Sequence, residues 1–159
     1  IVNLFTPECS VFFSHERRGR RGKPFTIYKF QTMKNNTPNC ATGELENPEQ
    51  YITKFGKFLR KTSLDELPQL INVLRGEMSL VGPRPVVAEE LERYGARGTL
   101  LLGVRPGITG YWQVNDRGGL SYEARMEMEL FYAGHCGPAL DWKILRQTAG
   151  AVLRRACAV

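Results

Sequence analysis

The stretch RKTSLDELPQLINVLRGEMSLVGPRP, Arg60–Pro85, carries the densest pattern in this 159-residue chain. Two adjacent carboxylates, Asp65 and Glu66, open a run in which Leu67, Leu70, Ile71 and Leu74 recur at helical spacing. That spacing predicts a helix with those four side chains on one buried face. Gly76, directly after Arg75, reads as its stop, with a cation in the last turn. Asp65 and Glu66 then project from a helix start, beside backbone donors that favour anions. Two starts are open. Ser63 with Glu66 fits a capping box; Asp65 as the cap keeps Pro68 inside the first turn, where its missing N–H removes no bond. Capping alone accounts for both acids without any chemistry.

Working outward, Gly82-Pro83-Arg84-Pro85 holds one arginine on a stiff backbone. Such an arginine suits two-pronged recognition of phosphate or carboxylate, although a surface turn with a solvated arginine has the same letters. Upstream, Asn47-Pro48-Glu49-Gln50 predicts a helix start, with Ile52, Phe55 and Leu59 following at helical spacing and Arg60 at the end. Gly56 inside that pattern marks close packing. Further back, Ser10–Ser14 and Phe25–Phe30 predict two strands joined by a basic hairpin loop, His15–Pro24. Lys34–Asn47 reads as a polar loop. Downstream, Val86–Tyr94 predicts a short helix ended by Gly95, and Thr99–Val104 a strand or buried turn. Arg105–Gly119 reads as a loop, and Ser121 caps a helix to about Ala133 with Met126 and Leu130 inward. Gly134–Pro138 breaks the chain before a last helix opened by Asp141, with Ile144, Leu145, Thr148 and Val152 on one side. The expected fold is α+β: a mainly helical single domain over residues 1–159 with a small antiparallel hairpin near the start.

The net charge of +6 suits an acidic partner: nucleic acid, an anionic membrane surface or a nucleotide-sugar. Five cations, Arg17, Arg18, Arg20, Arg21 and Lys23, fill the hairpin loop. Such a loop is either solvated or meets lipid headgroups, at roughly 1 kcal/mol per cation near an anionic surface. No aromatic platform or reading helix accompanies it, so nucleic acid is not the expected partner. The last helix carries Lys143, Arg146, Arg154 and Arg155 largely away from its apolar side, as a membrane-interface helix does and as a core-packed one also does. Cys9, Cys40, Cys136 and Cys157 form no CxxC pair, and His15 and His135 are isolated, so zinc and Ser-His-Asp chemistry are poor readings. No apolar run approaches the ~20 residues that span a bilayer.

LRKTSLDELPQLINVLRGEMSLVGPRP closely resembles the bacterial sugar transferases, the monotopic phosphoglycosyl transferases. YKFQTM at Tyr28–Met33 resembles that family's YKFRTM, and RPGITGYWQVNDR at Arg105–Arg117 and LDWKIL at Leu140–Leu145 resemble further family blocks in the same order. Gln31 stands where the family has arginine, and Asn115-Asp116-Arg117 where it has NGR. The resemblance implies a chain that begins after an apolar re-entrant membrane helix and acts at the cytoplasmic face of the bacterial inner membrane. The implied reaction transfers a sugar 1-phosphate from a nucleotide diphosphate sugar, a UDP-sugar, to a polyprenyl phosphate, which initiates exopolysaccharide, O-antigen or glycoconjugate synthesis.

The resemblance also implies roles. Asp65 is the nucleophile that forms an aspartyl-phosphosugar intermediate, and Glu66 helps to hold Mg²⁺. Lys29, Arg60 and Arg84 offset phosphate charge. Gln113 and Arg117 contact the nucleotide or sugar, and Asp141 lies near the site. The chemistry is coherent, because a carboxylate can form an acyl phosphate and a hard cation suits oxygen ligands. The rival expectation is a non-catalytic membrane-surface module of the same fold.

Overall fold

The computed structural model describes residues 10–35, 37, 47–115 and 119–157. Strand β1 (Phe12–Arg18) pairs antiparallel with β2 (Pro24–Phe30), in a register from Phe12 opposite Phe30 to Arg18 opposite Pro24. The hairpin is thus longer than its apolar letters indicate. His15–Arg18 was expected in the loop; it continues the strand, because a half-exposed antiparallel edge accepts polar residues. The turn is correspondingly tight, with Arg21 and Gly22 at φ 59 and 73. It is docked on the protein: Arg21 N donates to Leu102 O and Arg20 Nε to Gly103 O.

After β2 the chain pairs with the segment before the next helix. Thr53 N donates to Thr32 O at 3.0 Å, and Lys34 N to Tyr51 O at 2.9 Å. This pairing replaces the helix start expected at Asn47. Pro48–Gln50 forms only a single 3₁₀ turn, and helix α1 (Lys54–Thr62) begins at Thr53, whose hydroxyl accepts from Gly56 N at 2.9 Å. Gly56 packs as its position suggested: a Cβ there would overlap the Thr32 carbonyl oxygen.

α1 ends at Ser63, which adopts φ 58 while its N–H returns to Arg60 O, a left-handed closure. A 3₁₀ segment, Leu64–Gln69, follows and leads into α2 (Leu70–Leu74). Neither expected cap is made: Ser63 gives no side-chain cap bond, and Asp65 lies inside the 3₁₀ segment rather than at its N-cap. Pro68 explains the tight winding, because its ring would strike the carbonyl of Leu64 in an α-helix.

The face buried here is the opposite of the one the apolar spacing predicts. Pro68, Gln69 and Asn72 are buried, whereas Leu67, Leu70 and Ile71 are each more than two-fifths exposed and Leu74 is 88% exposed.

Strand β3 (Ser79–Val81) runs parallel to β4 (Gly107–Thr109), a pairing that short glycine-rich segments do not announce. Between them lie α3 (Ala88–Tyr94) and α4 (Gly98–Leu101), the second in place of the strand or buried turn expected at Thr99–Val104. After β4, α5 (Tyr111–Asn115) replaces part of the expected loop. Helix α6 (Tyr122–His135) is capped by Ser121 as expected, and Met126 and Leu130 join Val86, Tyr94 and Leu101 in a core. α7 (Pro138–Cys157) starts three residues before Asp141, with proline at its first position. Its apolar side is turned to the protein: Ile144 is fully buried with Val81 and Tyr132, and Leu145 packs on that cluster. Of the two expectations for this helix, Ile144 and Leu145 follow the core-packed one, while Trp142 and Leu153 stay exposed. The fold is α+β, mainly helical with two small two-stranded sheets. No helix among the described residues is long and apolar enough to cross a membrane.

Gly56→Ala should lower stability by about 2–3 kcal/mol, the cost of overpacking against a fixed backbone. Urea unfolding should show a lower midpoint at unchanged slope.

Candidate active site

Asp65 and Glu66 lie in the 3₁₀ segment that packs against β2, so the hairpin forms the wall above them. Asn72 fixes this arrangement. It is fully buried; its Oδ1 accepts from Tyr28 N at 3.4 Å, and its Nδ2 donates to Thr26 O and Glu77 Oε2, each at 2.7 Å. One amide thereby ties α2 to two backbone groups of β2. The next residue of that strand, Lys29, reaches Glu66: Nζ to Oε1 is 2.6 Å, with both side chains somewhat under one-third exposed. A charge-assisted bond of this length is strong when partly shielded from water.

Arg60 comes from the last turn of α1. Its Nε donates to Thr32 Oγ1 at 2.9 Å. Burial pushes the Asp65 carboxyl above its ordinary value, and the Glu66 charge adds to that, while Lys29 and Arg60 pull it back. Two carboxylates and two cations thus share one partly buried site, and the sequence separation of Lys29 from Glu66 is 37 residues.

No hydrogen bond or ion pair joins Arg84, Gln113 or Asp141 to Asp65 or Glu66 among the described residues. Arg84 is exposed, and its electrostatic influence falls on Arg17 of β1. Gln113 donates to Ile108 O at 3.4 Å and lines an open groove between α5 and α7 with Trp142, Lys143 and Arg146. Asp141 Oδ1 accepts from the Tyr132 hydroxyl at 2.7 Å, and burial together with that bond raises the Tyr132 pKa. Arg117 lies outside the described residues. Gln31 commits its amide N–H to Met33 O at 2.8 Å.

Sequence reasoning passed over Thr32 and Asn72. Thr32 was within reach, since it sits in the quoted YKFQTM block. Asn72 had a signal too, as the one amide inside the apolar run LINVL.

For a metal, the donor set is small. Among the described residues no group of three or more His, Cys, Asp or Glu gathers. Asp65 and Glu66 suit Mg²⁺, which binds through one or two carboxylates and takes its remaining oxygens from water and substrate phosphates.

Residues 1–155 match the family described as bacterial sugar transferase. The chain is 45% identical over 143 residues to the uncharacterized sugar transferase EpsL of Bacillus subtilis, covering 90% of this chain and 70% of that one. It is 43% identical over 160 residues to the undecaprenyl-phosphate galactose phosphotransferase of Salmonella typhimurium, covering 91% of this chain and 34% of that protein. Against the UDP-galactose-lipid carrier transferase of Erwinia amylovora it is 44% identical over 158 residues, covering 90% and 33%. The chain thus spans about a third of the last two.

A raised Asp65 pKa has a definite sign for stability. The folded state holds the proton more tightly than the unfolded one, so stability falls as pH rises from the unfolded pKa through the folded one and stays reduced above it. Asp65→Asn should therefore raise the thermal midpoint at neutral pH, and the gain should vanish in acid. Melting curves of both proteins across pH 3–8 read this directly.

Proposed function

The chain belongs to the bacterial sugar transferase family, and on that premise we propose that it moves a sugar 1-phosphate from a UDP-sugar to a polyprenyl phosphate. The observation that carries this reading is the ion pair of Lys29 with Glu66 beside a partly buried Asp65. Names of relatives support it: one is a phosphotransferase acting with undecaprenyl phosphate, another a UDP-galactose-lipid carrier transferase.

In the first step a carboxylate oxygen of Asp65 attacks the sugar-linked phosphorus. A bond from Asp65 to phosphorus forms, the diphosphate bridge breaks, and UMP leaves with the bridging oxygen. In the second step a phosphate oxygen of the polyprenyl phosphate attacks the same phosphorus and the bond to Asp65 breaks, which restores the carboxylate. Lys29 and Arg60 favour the ionised nucleophile and offset charge on the phosphates. Thr32 holds the Arg60 guanidinium in place through its hydroxyl. Glu66, with Asp65 beside it, would hold Mg²⁺, which supplies charge neutralisation at the diphosphate.

The exposed apolar stripe supports a lipid acceptor. Leu67, Leu70, Ile71 and Leu74 follow the carboxylates directly and face outward, with Leu64 and Phe58 also exposed. A contiguous apolar surface of this kind favours a membrane or a lipid tail over water. A polyprenyl chain lying along it would carry its phosphate towards Asp65. We place the reaction at the cytoplasmic face of the membrane, where a water-soluble UDP-sugar meets the lipid.

Intact-mass analysis after incubation with UDP-sugar and no acceptor should show a phosphosugar adduct on Asp65. Asp65→Asn should abolish both adduct and turnover, and Glu66→Gln should slow turnover by about 10²-fold or more while leaving the nucleophile. Lipid product from the Asn variant at wild-type rate would sink the covalent route. The UMP-releasing step should also fail in acid, with an apparent pKa above the ordinary aspartate value, because Asp65 must lose its proton and its pKa is raised by burial and by the Glu66 charge.

A further inference from the structure

Glu77 is a partly buried carboxylate that forms no ion pair among the described residues. Its Oε2 instead accepts from Asn72 Nδ2 at 2.7 Å. The main chain closes on the same residue from the other side: Glu77 N and Met78 N both donate to Asn72 O, at 3.0 and 3.2 Å. Gly76 makes this return possible. At φ 74 it takes the left-handed conformation that reverses the chain after α2, where a side chain would be strained. Residue 77 thus grips residue 72 by main chain and side chain together.

The grip reaches the hairpin through the two ends of one amide. Nδ2 carries two hydrogens, and they go to Glu77 Oε2 and to Thr26 O, each at 2.7 Å. Oδ1 accepts from Tyr28 N at 3.4 Å, the longest link of the series. Thr26 and Tyr28 are two residues apart, so both groups lie along one edge of β2. An amide turned by 180° would set Oδ1 against the Thr26 carbonyl and the Glu77 carboxylate, and Nδ2 against the Tyr28 N–H. A charged acceptor holds an N–H about twice as strongly as a neutral one, so Glu77 opposes that turn most. Lys29 follows Tyr28 directly, and its Nζ is 2.6 Å from Glu66 Oε1. From Glu77 to Glu66 the path is therefore Asn72, one strand residue and Lys29, with a measured hydrogen bond at each junction between segments.

We propose that Glu77 is a positioning residue of the active site: by orienting the Asn72 amide it fixes β2 over the 3₁₀ segment and so places the Lys29 ammonium at Glu66. It touches neither Asp65 nor Glu66 and acts through Lys29. Its effect on rate rests on the function proposed above; its placement of Lys29 does not. A glutamine at 77 offers a carbonyl oxygen to the same N–H and keeps the arrangement, whereas alanine leaves an Asn72 hydrogen unanswered beside a buried amide.

Two measurements on the whole chain test this. The first needs no turnover: the reactivity of Lys29 towards an amine-acylating reagent, read by peptide mass spectrometry. Glu77→Ala should raise Lys29 labelling about fivefold or more while Lys143 on α7 labels as in the wild type, and Glu77→Gln should stay within about twofold of the wild type. An equal rise at every lysine means that the alanine variant is unfolded, and Glu77→Asp, which withdraws the carboxylate by one methylene, is then read in the same way. Unchanged Lys29 labelling in a folded variant overturns the proposal. The second measurement is UMP release from a UDP-sugar. Glu77→Ala should lower kcat about tenfold or more with KM within about threefold, because Lys29 offsets charge that grows during attack. In a Lys29→Gln background the same change should alter the rate by less than about twofold, since the group it places is gone. Full multiplication of the two single effects, or a loss confined to KM, would show that Glu77 does not act through Lys29. A wild-type chain that releases no UMP sinks the proposed function instead, and the labelling alone then decides the role of Glu77.

Discussion

Asn72 ties α2 to the hairpin through one buried amide, and the geometry of the candidate site depends on that tie. With Oδ1 on Tyr28 N and Nδ2 on Thr26 O, the amide mimics a neighbouring strand and holds β2 at a fixed height above the 3₁₀ segment. Lys29 is then within 2.6 Å of Glu66, although 37 residues separate them. An alkyl residue at 72 would leave a backbone donor and acceptor of β2 unanswered in a buried place, a penalty of about 1–3 kcal/mol for each group. The helix therefore presents its polar edge to the protein because that edge has specific partners there.

The outward apolar stripe follows from the same constraint. A short helix cannot bury two opposite faces against one hairpin. Once Pro68, Gln69 and Asn72 face inward, Leu67, Leu70, Ile71 and Leu74 must face out. The 3₁₀ winding imposed by Pro68 keeps the carboxylates at the head of that stripe. An acid pair at the edge of an apolar surface suits the proposed reaction between a polar donor and a lipid acceptor. The cationic face of α7 lies on other ground, because its apolar side is already turned to the core beside Tyr132.

Glycine sets the second fixed frame. Side chains at Gly82, Gly107 or Gly110 would all collide with the backbone of the facing segment, so β3 and β4 approach as only bare backbones can. The Pro-Arg-Pro loop leaves directly from this junction and inherits its rigidity. The charge of Arg84 is felt by Arg17, which stands at the opposite end of the hairpin from Lys29.

Much was legible in the letters alone. The hairpin, the Ser121-capped helix with Met126 and Leu130 inward, the tight packing at Gly56 and the family itself all follow from local pattern or from long quoted blocks. These properties depend on residues close in the chain, which periodicity and turn chemistry encode directly. Other features were decided only by tertiary structure. Apolar spacing says which side chains share a face of Leu67–Leu74; it does not say whether the opposite face has better partners, and Asn72 did. The resemblance groups Lys29, Arg60 and Arg84 around phosphate, and only tertiary contact brings Lys29 to Glu66 and Arg60 to Thr32. The parallel pairing of Ser79–Val81 with Gly107–Thr109 joins segments too short to carry a strand pattern, and their match is one of backbone clearance. Sequence fixes which groups a segment can offer, and the competition among distant segments for buried hydrogen bonds decides which of them it uses.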